Sequence, residues 1–421
     1  MAKLECIHFR SHSWADENNW VKLDSGSISG LPQIFWDNNM PWTEANQWFY
    51  ERGSSNNVSI KTVEANAAAV HAYAQWLEET GTEWWHFPVR KAERCLVRYR
   101  GHLIAQRSAG IIAPSTTQQR MNAVILFYRW LVESELLTVD SPLWKEKSVG
   151  VHLSDGFGLK RTITVRTTEL SIPNRHAPGM RLEKGLLPVS PNDRDRLLQF
   201  SSQYASYELF MLLTLGFFTG MRIGTLTDLK VETLQNAVPD PSTPELYRLS
   251  VGPSATPPVA TKFGISGCVW ITATHLKTLT EYSYSTRRLI REAKSSPENR
   301  NNVFLTKFGN RYSRFGGDKS AAINVELHHL RGLAKKHNFR GFENFHFHQT
   351  RSTYATELAQ IALATTTPDL AVALVKDALL HKDEATSWRY IKFAQLYPVK
   401  QDIANSFTRS FLGSLREANA E

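Results

Sequence analysis

Apolar residues recur at helical spacing in two separate parts of this chain, and residues 141–186, where that spacing weakens, lie between them. The intervening residues alternate Gly, Pro, Ser and Thr with Lys and Arg, a composition typical of a linker. At 421 residues the chain is also long enough for two hydrophobic cores. We therefore predict an all-helical amino-terminal domain over 1–140, a basic linker over 141–186 and a second domain over 187–421.

The spacing also indicates which elements build each domain. Helices are predicted at about Ser59 to Gly81, Val89 to Gln106, from Pro114 onward, Ala321 to His337, Gln349 to Ala362 and Asp369 to Leu380. Two short runs rich in β-branched and aromatic residues, Tyr247 to Val251 and Gly267 to Thr272, predict strands of a hairpin that carries Lys262. The expected fold is mainly α with a small antiparallel β-sheet.

The net charge favours a polyanionic partner. A formal charge of +9 and a pI near 9.3 create a positive field that attracts nucleic acid. A basic surface that only maintains solubility explains the charge equally well, because charge does not report activity. The choice between these two interpretations therefore depends on individual side chains that could act on nucleic acid.

Cysteine usage and hydropathy indicate the compartment. Cys6, Cys95 and Cys268 are odd in number and far apart, so neither a disulfide framework nor a CxxC metal site is predicted. The amino terminus lacks the apolar core of a signal peptide, and the longest apolar run, Leu209 to Phe218, is too short to cross a bilayer. We expect a cytoplasmic protein, associated with the nucleoid if it is bacterial.

The apolar run Leu209 to Phe218 predicts a buried helix, and Arg222 lies just after it in the sequence TGMRIG, two residues after Gly220. A helix start offers free amides and a positive dipole to an anion, and a guanidinium adds a planar fork that fits phosphate oxygens. Arg222 is therefore a candidate phosphate ligand. The alternative is an ordinary surface ion pair.

His348 and Arg351 lie three residues apart in HQTR, so a helix presents both on one face, where they can converge on one ligand. One alternative is a capping histidine beside an exposed arginine. Another is a metal site at His346 and His348, but no nearby carboxylate or cysteine completes such a site.

His381 and Tyr390 are separated by about two and a half helical turns, so one unbroken helix would point them in opposite directions. The sequence after His381 supplies a break, at which Asp383 can cap a new helix that carries Tyr390. A tyrosine in such a helix is otherwise typical of a core or an interface.

Four segments, TGMRIG, TKFG, HQTR and HKDEATSWRY, occur in an order that resembles the catalytic domain of the tyrosine recombinase family, also called lambda-type phage integrases. The resemblance covers about Leu187 to Phe393. Residues from about Ser59 to Leu137 are more weakly similar to the family's core-binding domain. Two positions depart from the family pattern: Thr225 replaces a usual acidic residue, and Leu380 replaces a common glycine.

The resemblance implies a role for each phosphate-binding residue. Arg222 and Arg351 would bind the scissile phosphate and stabilise the charge of its transition state. His348 would assist proton transfer and phosphate binding, and His381 would donate a hydrogen bond to the phosphate. No metal and no cofactor is implied, because the cations themselves stabilise the phosphorane.

The same resemblance assigns Tyr390 as the nucleophile that forms a 3′-phosphotyrosyl bond, and Lys262 as the acid that protonates the leaving 5′ oxygen. A phenol with a pKa near 10 needs positive surroundings to react, and the arginines and histidines supply them. Lys262 is preferred because Thr261 and Gly264 flank it in a turn-like segment, although Lys230 and Lys277 are alternatives.

The implied function is site-specific recombination or integration of a mobile element by a two-domain, C-shaped clamp on double-stranded DNA. Four protomers would form the synapse, with accessory DNA-bending proteins as further possible partners. The apolar tail after Phe393 would pack on its own chain or on a neighbouring protomer. The alternatives are a type IB topoisomerase-like enzyme and a non-catalytic DNA-binding protein, whereas a metal nuclease is disfavoured by the lack of clustered carboxylates.

Overall fold

A computed structural model of the chain describes residues 1–16, 19–23, 26–55, 58–138, 142–154, 160–174, 182–313 and 320–418. The chain folds into two compact units, one within Met1–Ser154 and Gly158–Pro178, the other within Gly179–Glu421. The second unit therefore includes residues 182–186, which the sequence assigned to the linker. Within the described part of the chain, no helix combines the length and hydropathy needed to cross a membrane.

The first unit begins with strands. They are β1 (Lys3–Phe9), β2 (His12–Asp16), β3 (Asn19–Lys22) and β4 (Ile28–Phe35), and antiparallel pairs join β1 to β4 and β2 to β3. The prediction of an entirely helical domain was wrong here. Strand β4 buries the side chains of Leu31 and Ile34 completely, and the buried amide of Asn46 bonds to both backbone groups of Ile34. The apolar pattern of these strands is short, and the longer helical pattern of the residues that follow dominated the sequence-based prediction.

The three helices predicted in the first unit are present as α2 (Ile60–Thr80), α3 (Cys95–Ser108) and α4 (Pro114–Glu133), although α3 begins six residues later than predicted. A further helix, α1 (Thr43–Ser54), precedes them and was not predicted. Ser59 caps α2 by accepting a hydrogen bond from the amide of Thr62, and Gly81 ends it at a φ of 56°. The aromatic rings of Trp42, Tyr73 and Tyr128 lie in the shared core.

Part of the segment predicted as an irregular linker is a regular hairpin. Strands β5 (Glu146–Ser154) and β6 (Lys160–Thr168) pair antiparallel from Glu146 opposite Thr168 to Ser154 opposite Lys160. Leu170 and Ile172, which follow it, are buried in the core of the first unit. The alternation of basic and β-branched residues in this segment indicated a linker by composition but is compatible with a strand.

The second unit is mainly helical with one small sheet. Its helices are α5 (Pro191–Tyr204), α6 (Tyr207–Thr219), α7 (Ile223–Asp228), α8 (Val231–Gln235), α9 (Ala273–Ser283), α10 (Thr286–Ala293), α11 (Ala321–Lys336), α12 (Gln349–Thr365), α13 (Pro368–Leu379) and α14 (Glu384–Ala418). The sheet has the order β7 (Val238–Asp240), β8 (Thr243–Val251), β9 (Gly267–Thr272), all antiparallel. The predicted hairpin is confirmed. The predicted fold class, mainly α with a small antiparallel β-sheet, is also confirmed.

Close packing of α6 against α12 brings the candidate residues together. A Cβ atom on Gly216 of α6 would lie 2.6 Å from Oγ1 of Thr350 on α12, so only glycine permits this approach. The neighbouring Arg351 thereby reaches the carboxyl end of α6. Helix α14 packs on α12 and α13 through Tyr390, Ile391 and other buried side chains.

Beyond this contact, α14 exposes the apolar side chains of the predicted tail. Leu396, Tyr397, Ile403 and Phe407 are 42–71% exposed. The described part of the tail therefore keeps an apolar surface that its own unit does not cover.

Candidate active site

Four of the residues selected from the sequence surround one carboxylate, that of Glu183. Its Oε1 atom lies 3.1 Å from Nη2 of Arg222 and 3.4 Å from Nε2 of His381. Its Oε2 atom lies 3.0 Å from Nε of Arg351 and 3.3 Å from Nε2 of His348. The fold thus brings two arginines and two histidines to one point.

Arg351 is fixed from three directions. Besides its bond to Glu183, its Nη1 donates to the carbonyl of Gly220 at 2.7 Å and its Nη2 donates to the carbonyl of Leu379 at 2.8 Å. These carbonyls lie at the ends of α6 and α13, so the guanidinium connects both helices to the start of α12. Only 2% of the residue is exposed. Burial lowers the pKa of Arg351, and the charge of Glu183 opposes that shift.

Arg222 lies at the predicted helix start. It is the residue before α7, two positions after Gly220, which ends α6 with a φ of 64°. The left-handed turn reverses the chain between the helices and directs the guanidinium of Arg222 to Glu183.

The two histidines also occupy helix ends. His348 directly precedes α12, and His381 follows α13 after the left-handed residue Leu380. Nδ1 of His381 is hydrogen-bonded to Oγ of Ser387 at 2.9 Å, and its Nε2 faces Glu183. Burial lowers the pKa of His381, although Glu183 opposes the shift, so the imidazole is neutral near pH 7.

Tyr390 lies on a new helix, as the predicted break requires. Its ring is completely buried and parallel to that of His381, with centroids 5.9 Å apart and planes 10° apart. Burial and the charge of Glu183 raise the pKa of Tyr390 to about 12, while Arg351 and the nearby Ser352 oppose the shift. The phenol is therefore protonated in this state of the protein.

Lys262 begins a short turn, Lys262–Gly264, between β8 and β9. Together with Arg222, Arg351 and Leu380 it lines a small pocket at the site. Its Nζ also lies 5.1 Å from the centre of the Phe263 ring.

The two alternative lysines lie in different surroundings. Nζ of Lys230 is within 2.8 Å of Asp228 and Asn302, which tie it into the protein interior. Lys277 is on the surface of α9 with 79% of its side chain exposed, next to Glu281. Lys262 is the one of the three that lines the pocket with both arginines.

The two departures from the family pattern have structural counterparts. Thr225 is buried and lines the same pocket, and the carboxylate that contacts both arginines comes from Glu183 instead. Leu380 adopts a φ of 51°, a conformation that favours glycine. A Cβ atom on Gly267 would lie 2.5 Å from Cδ2 of Leu380, so the missing side chain on β9 makes room for the leucine.

Sequence reasoning missed Glu183. Burial alone would raise its pKa, but hydrogen bonds from His348 and His381 and the charges of Arg351 and Arg222 together hold the pKa far below its ordinary value. The side chain is therefore a carboxylate. In sequence it is one acidic residue in a segment dominated by basic ones, and no local periodicity distinguishes it.

A metal site at His346 and His348 has no support among the described residues, where no group of three or more His, Cys, Asp or Glu side chains could hold an ion. The arrangement at Glu183 is instead a set of cationic and hydrogen-bond-donating groups around one anion. Such a set can bind an oxyanion and stabilise added negative charge on it.

Comparison with known proteins gives structural likeness only. No family model matches the chain. No curated protein matches it in sequence.

Solved structures of integrases and recombinases do match. The Tn1549 transposon integrase in complex with transposon right-end DNA aligns over 85% of this chain and 98% of its own, at 11% identity and a TM-score of 0.50. A lambda integrase dimer bound to a COC′ core site aligns over 84% and 95%, at 12% identity and a TM-score of 0.47. XerA recombinase aligns over 86% and 96%, at 15% identity and a TM-score of 0.34. The alignment with the Tn1549 integrase shows that the chain has the tyrosine recombinase fold.

Proposed function

We propose that this protein is a site-specific DNA recombinase or integrase that cuts and rejoins strands through a 3′-phosphotyrosyl intermediate. The observation that carries the proposal is the convergence of Arg222, His348, Arg351 and His381 on one anion beside the buried phenol of Tyr390. Integration or transposition of a mobile element is the process we propose for it.

In the proposed reaction the oxygen of Tyr390 attacks the scissile phosphorus and the 5′ oxygen of the next nucleotide leaves. Arg222 and Arg351 neutralise the charge that grows on the non-bridging oxygens, and the neutral imidazole of His381 donates a hydrogen bond to one of them. His348 accepts the phenolic proton as the bond to phosphorus forms, and Lys262 gives a proton to the leaving oxygen. A 5′ hydroxyl from another strand reverses these steps, so the phosphodiester is restored without a nucleotide cofactor.

Double-stranded DNA is the proposed substrate. The formal charge of +9 supports binding to its phosphates, and the Tn1549 integrase with the same fold was solved with transposon-end DNA. A tetramer on two paired DNA sites is proposed for strand exchange. The exposed apolar side chains Leu396, Ile403 and Phe407 on α14 support self-association, because a neighbouring protomer could cover them.

A nicked suicide duplex from the candidate element end tests the chemistry. The nick lets the short strand that carries the released 5′ hydroxyl diffuse away. The strand therefore cannot be resealed, and the covalent protein–DNA adduct accumulates. We expect adduct with the wild type, none with Tyr390→Phe at unchanged DNA binding, and wild-type amounts with Tyr397→Phe on the same helix. Adduct that persists in Tyr390→Phe would show that the nucleophile is a different residue.

The two alternative functions predict other products. A non-catalytic DNA-binding protein gives salt-sensitive binding and no adduct. A topoisomerase-like enzyme gives adduct and relaxes supercoiled DNA but does not join strands from two duplexes. Strand-transfer product from two labelled duplexes therefore distinguishes a recombinase from both.

A further inference from the structure

The four groups that would bind the scissile phosphate are already occupied in the protein, by Glu183. We propose that Glu183 is an internal stand-in for the phosphodiester, which assembles the site in the absence of DNA and has to withdraw when the phosphate enters. This inference rests on the proposed function, since it assigns the same site to a DNA phosphate.

The match between the two anions is the first reason. A phosphodiester presents two non-bridging oxygens that share one negative charge, and a carboxylate presents two oxygens that share one negative charge. Each oxygen of Glu183 lies beside one arginine and one histidine: Arg222 and His381 for Oε1, Arg351 and His348 for Oε2. A phosphodiester can take over this pattern oxygen by oxygen.

Competition for the same donors is the second reason. Nη1 and Nη2 of Arg351 already donate to the carbonyls of Gly220 and Leu379, and its Nε donates to Glu183. A phosphate that entered beside Glu183 would find the Nε position taken and would meet a second negative charge in a buried site. Repulsion between like charges at such distances is strong where water is excluded. One anion must therefore leave.

The position of Glu183 in the fold allows it to leave. It lies on a turn of three residues, Glu183–Gly185, whose backbone hydrogen bonds from Gly185 to Leu182 and from Leu186 to Glu183 are internal to the turn. The four partners lie at the ends of α7, α12 and α13, which pack into the core of the unit. Rotation of one side chain thus removes the carboxylate without disturbing the groups that receive the phosphate.

A rival role exists for this residue. With Thr225 at the position of the family's usual acidic residue, Glu183 could be a permanent partner that keeps both arginines oriented during catalysis. The two roles predict opposite effects when the charge is removed. If Glu183 is a permanent partner of the arginines, its charge is needed for phosphate binding. If Glu183 is a stand-in, it competes with the phosphate and lowers the apparent affinity of the site for phosphate.

The first test measures binding of inorganic phosphate to the full-length protein by thermal unfolding at constant ionic strength, with sodium chloride as the balancing salt. Glu183→Gln keeps the shape of the side chain and removes its charge. The matched control is Glu357→Gln, which removes another partly buried carboxylate, paired with Arg194, on the same helix as Arg351. We expect Glu183→Gln to be less stable without phosphate and to gain more from phosphate than the wild type or the control. Equal gains in all three proteins would overturn the proposal.

The second test uses the suicide duplex. We expect Glu183→Gln to bind DNA about tenfold more tightly at the scissile site and to form adduct at least as fast as the wild type. Weaker binding and slower adduct formation would identify Glu183 as a permanent partner instead. If Glu183→Gln does not fold, Glu183→Asp takes its place, because it keeps the charge on a shorter side chain. We expect Glu183→Asp to raise DNA affinity and the rate of adduct formation as well, but by a smaller factor.

The two proposals fail in distinguishable ways. If none of the proteins forms adduct, yet Glu183→Gln alone responds strongly to phosphate, the strand-cleavage proposal fails and the stand-in remains. If the wild type forms adduct and the phosphate responses are equal, strand cleavage stands and the stand-in fails.

Discussion

Ser387 holds the imidazole of His381 from the side opposite Glu183, through a hydrogen bond of 2.9 Å between Oγ and Nδ1. Both residues are buried, and Ser387 lies in the first turn of α14, three residues before Tyr390. Glu183 can only accept hydrogen bonds, so the neutral ring keeps its proton on Nε2 and accepts from the Ser387 hydroxyl at Nδ1. The same tautomer can donate to a phosphate oxygen. The bond therefore couples the position of His381 to the helix that carries Tyr390.

Replacement of Ser387 by alanine should loosen this coupling. We expect Ser387→Ala to slow adduct formation about tenfold, the effect of losing roughly 1.4 kcal/mol, because one buried hydrogen bond contributes about 1 kcal/mol or slightly more. Single-turnover kinetics on the suicide duplex measure the rate. Ser201→Ala is the control, because Ser201 is equally buried but bonds only to the carbonyl of Leu197 in its own helix. A similar loss in both variants would indicate a general effect of losing a buried hydroxyl.

The proposed role of Lys262 as the acid can be tested with a sulfur leaving group. Lys262→Ala should slow cleavage of ordinary DNA by about 10²-fold or more, the usual contribution of a positioned acid. A duplex with sulfur in place of the 5′ bridging oxygen should be cleaved almost normally, because a thiol has a pKa near 8.5 and its anion leaves without a proton. Lys277→Ala, at an exposed surface position, should leave both rates unchanged. Equal slowing of both substrates by Lys262→Ala would assign that lysine another role.

Gly220 is predicted to be intolerant of substitution. Its φ is +64°, and a Cβ atom there would lie 2.4 Å from Cδ1 of Tyr354 and 2.7 Å from Cδ2 of Leu379. We expect Gly220→Ala to lower the free energy of unfolding by about 2–5 kcal/mol, the sum of backbone strain and overpacking. Adduct formation should fall as well, because the carbonyl of Gly220 binds Arg351.

Gly81→Ala is the matched control for the steric part of this effect. Gly81 has a φ of +56° but no atom within 4 Å of the position of a Cβ. Its replacement should cost about 1 kcal/mol from backbone strain alone, as measured by urea unfolding. A loss for Gly220→Ala no larger than that for Gly81→Ala would mean that the packing around Gly220 relaxes.

The raised pKa of Tyr390 should appear in the alkaline stability of the protein. A group whose pKa rises from 10 to about 12 on folding stabilises the native state fully below pH 10, and this stabilisation is lost as pH rises from 10 to 12. The two-unit shift corresponds to about 2–3 kcal/mol. Tyr390→Phe cannot ionise, so its free energy of unfolding should fall less over this range than that of the wild type.

The corresponding control is Tyr397→Phe, which removes a half-exposed hydroxyl from the same helix and should follow the wild type. Urea unfolding at several pH values between 9 and 12 gives the comparison. Parallel pH profiles for the wild type and Tyr390→Phe would contradict burial of the phenol.

Local signals in the sequence located most of the candidate site. Arg222, His348 and His381 lie at helix ends marked by Gly220, by the start of an apolar stripe and by a predicted break. Helix ends are set by neighbouring residues, through caps and backbone conformation, so they can be read from short segments. The local geometry of these residues therefore followed from the sequence, although their roles remain predictions.

Contacts between distant parts of the chain decided the rest. Glu183 and Arg351 are 168 residues apart, and nothing near Glu183 in sequence distinguishes it from a solvated linker residue. The choice of Lys262 over Lys230 and Lys277 likewise depends on which lysine the folded hairpin brings to the arginines. Strands β1 and β4 likewise pack against helices outside their own segment, β1 against α2 and β4 against α1 and α2.

The sequence by itself thus determined most of the long helices, the hairpin that carries Lys262 and the order of the candidate side chains, since these depend on periodicity and on residues a few positions apart. Only the tertiary structure decided that the site is preassembled around an internal anion. Burial and long-range electrostatics have no period along the chain, and they arise only when α6, α12, α13 and the Glu183 turn pack together.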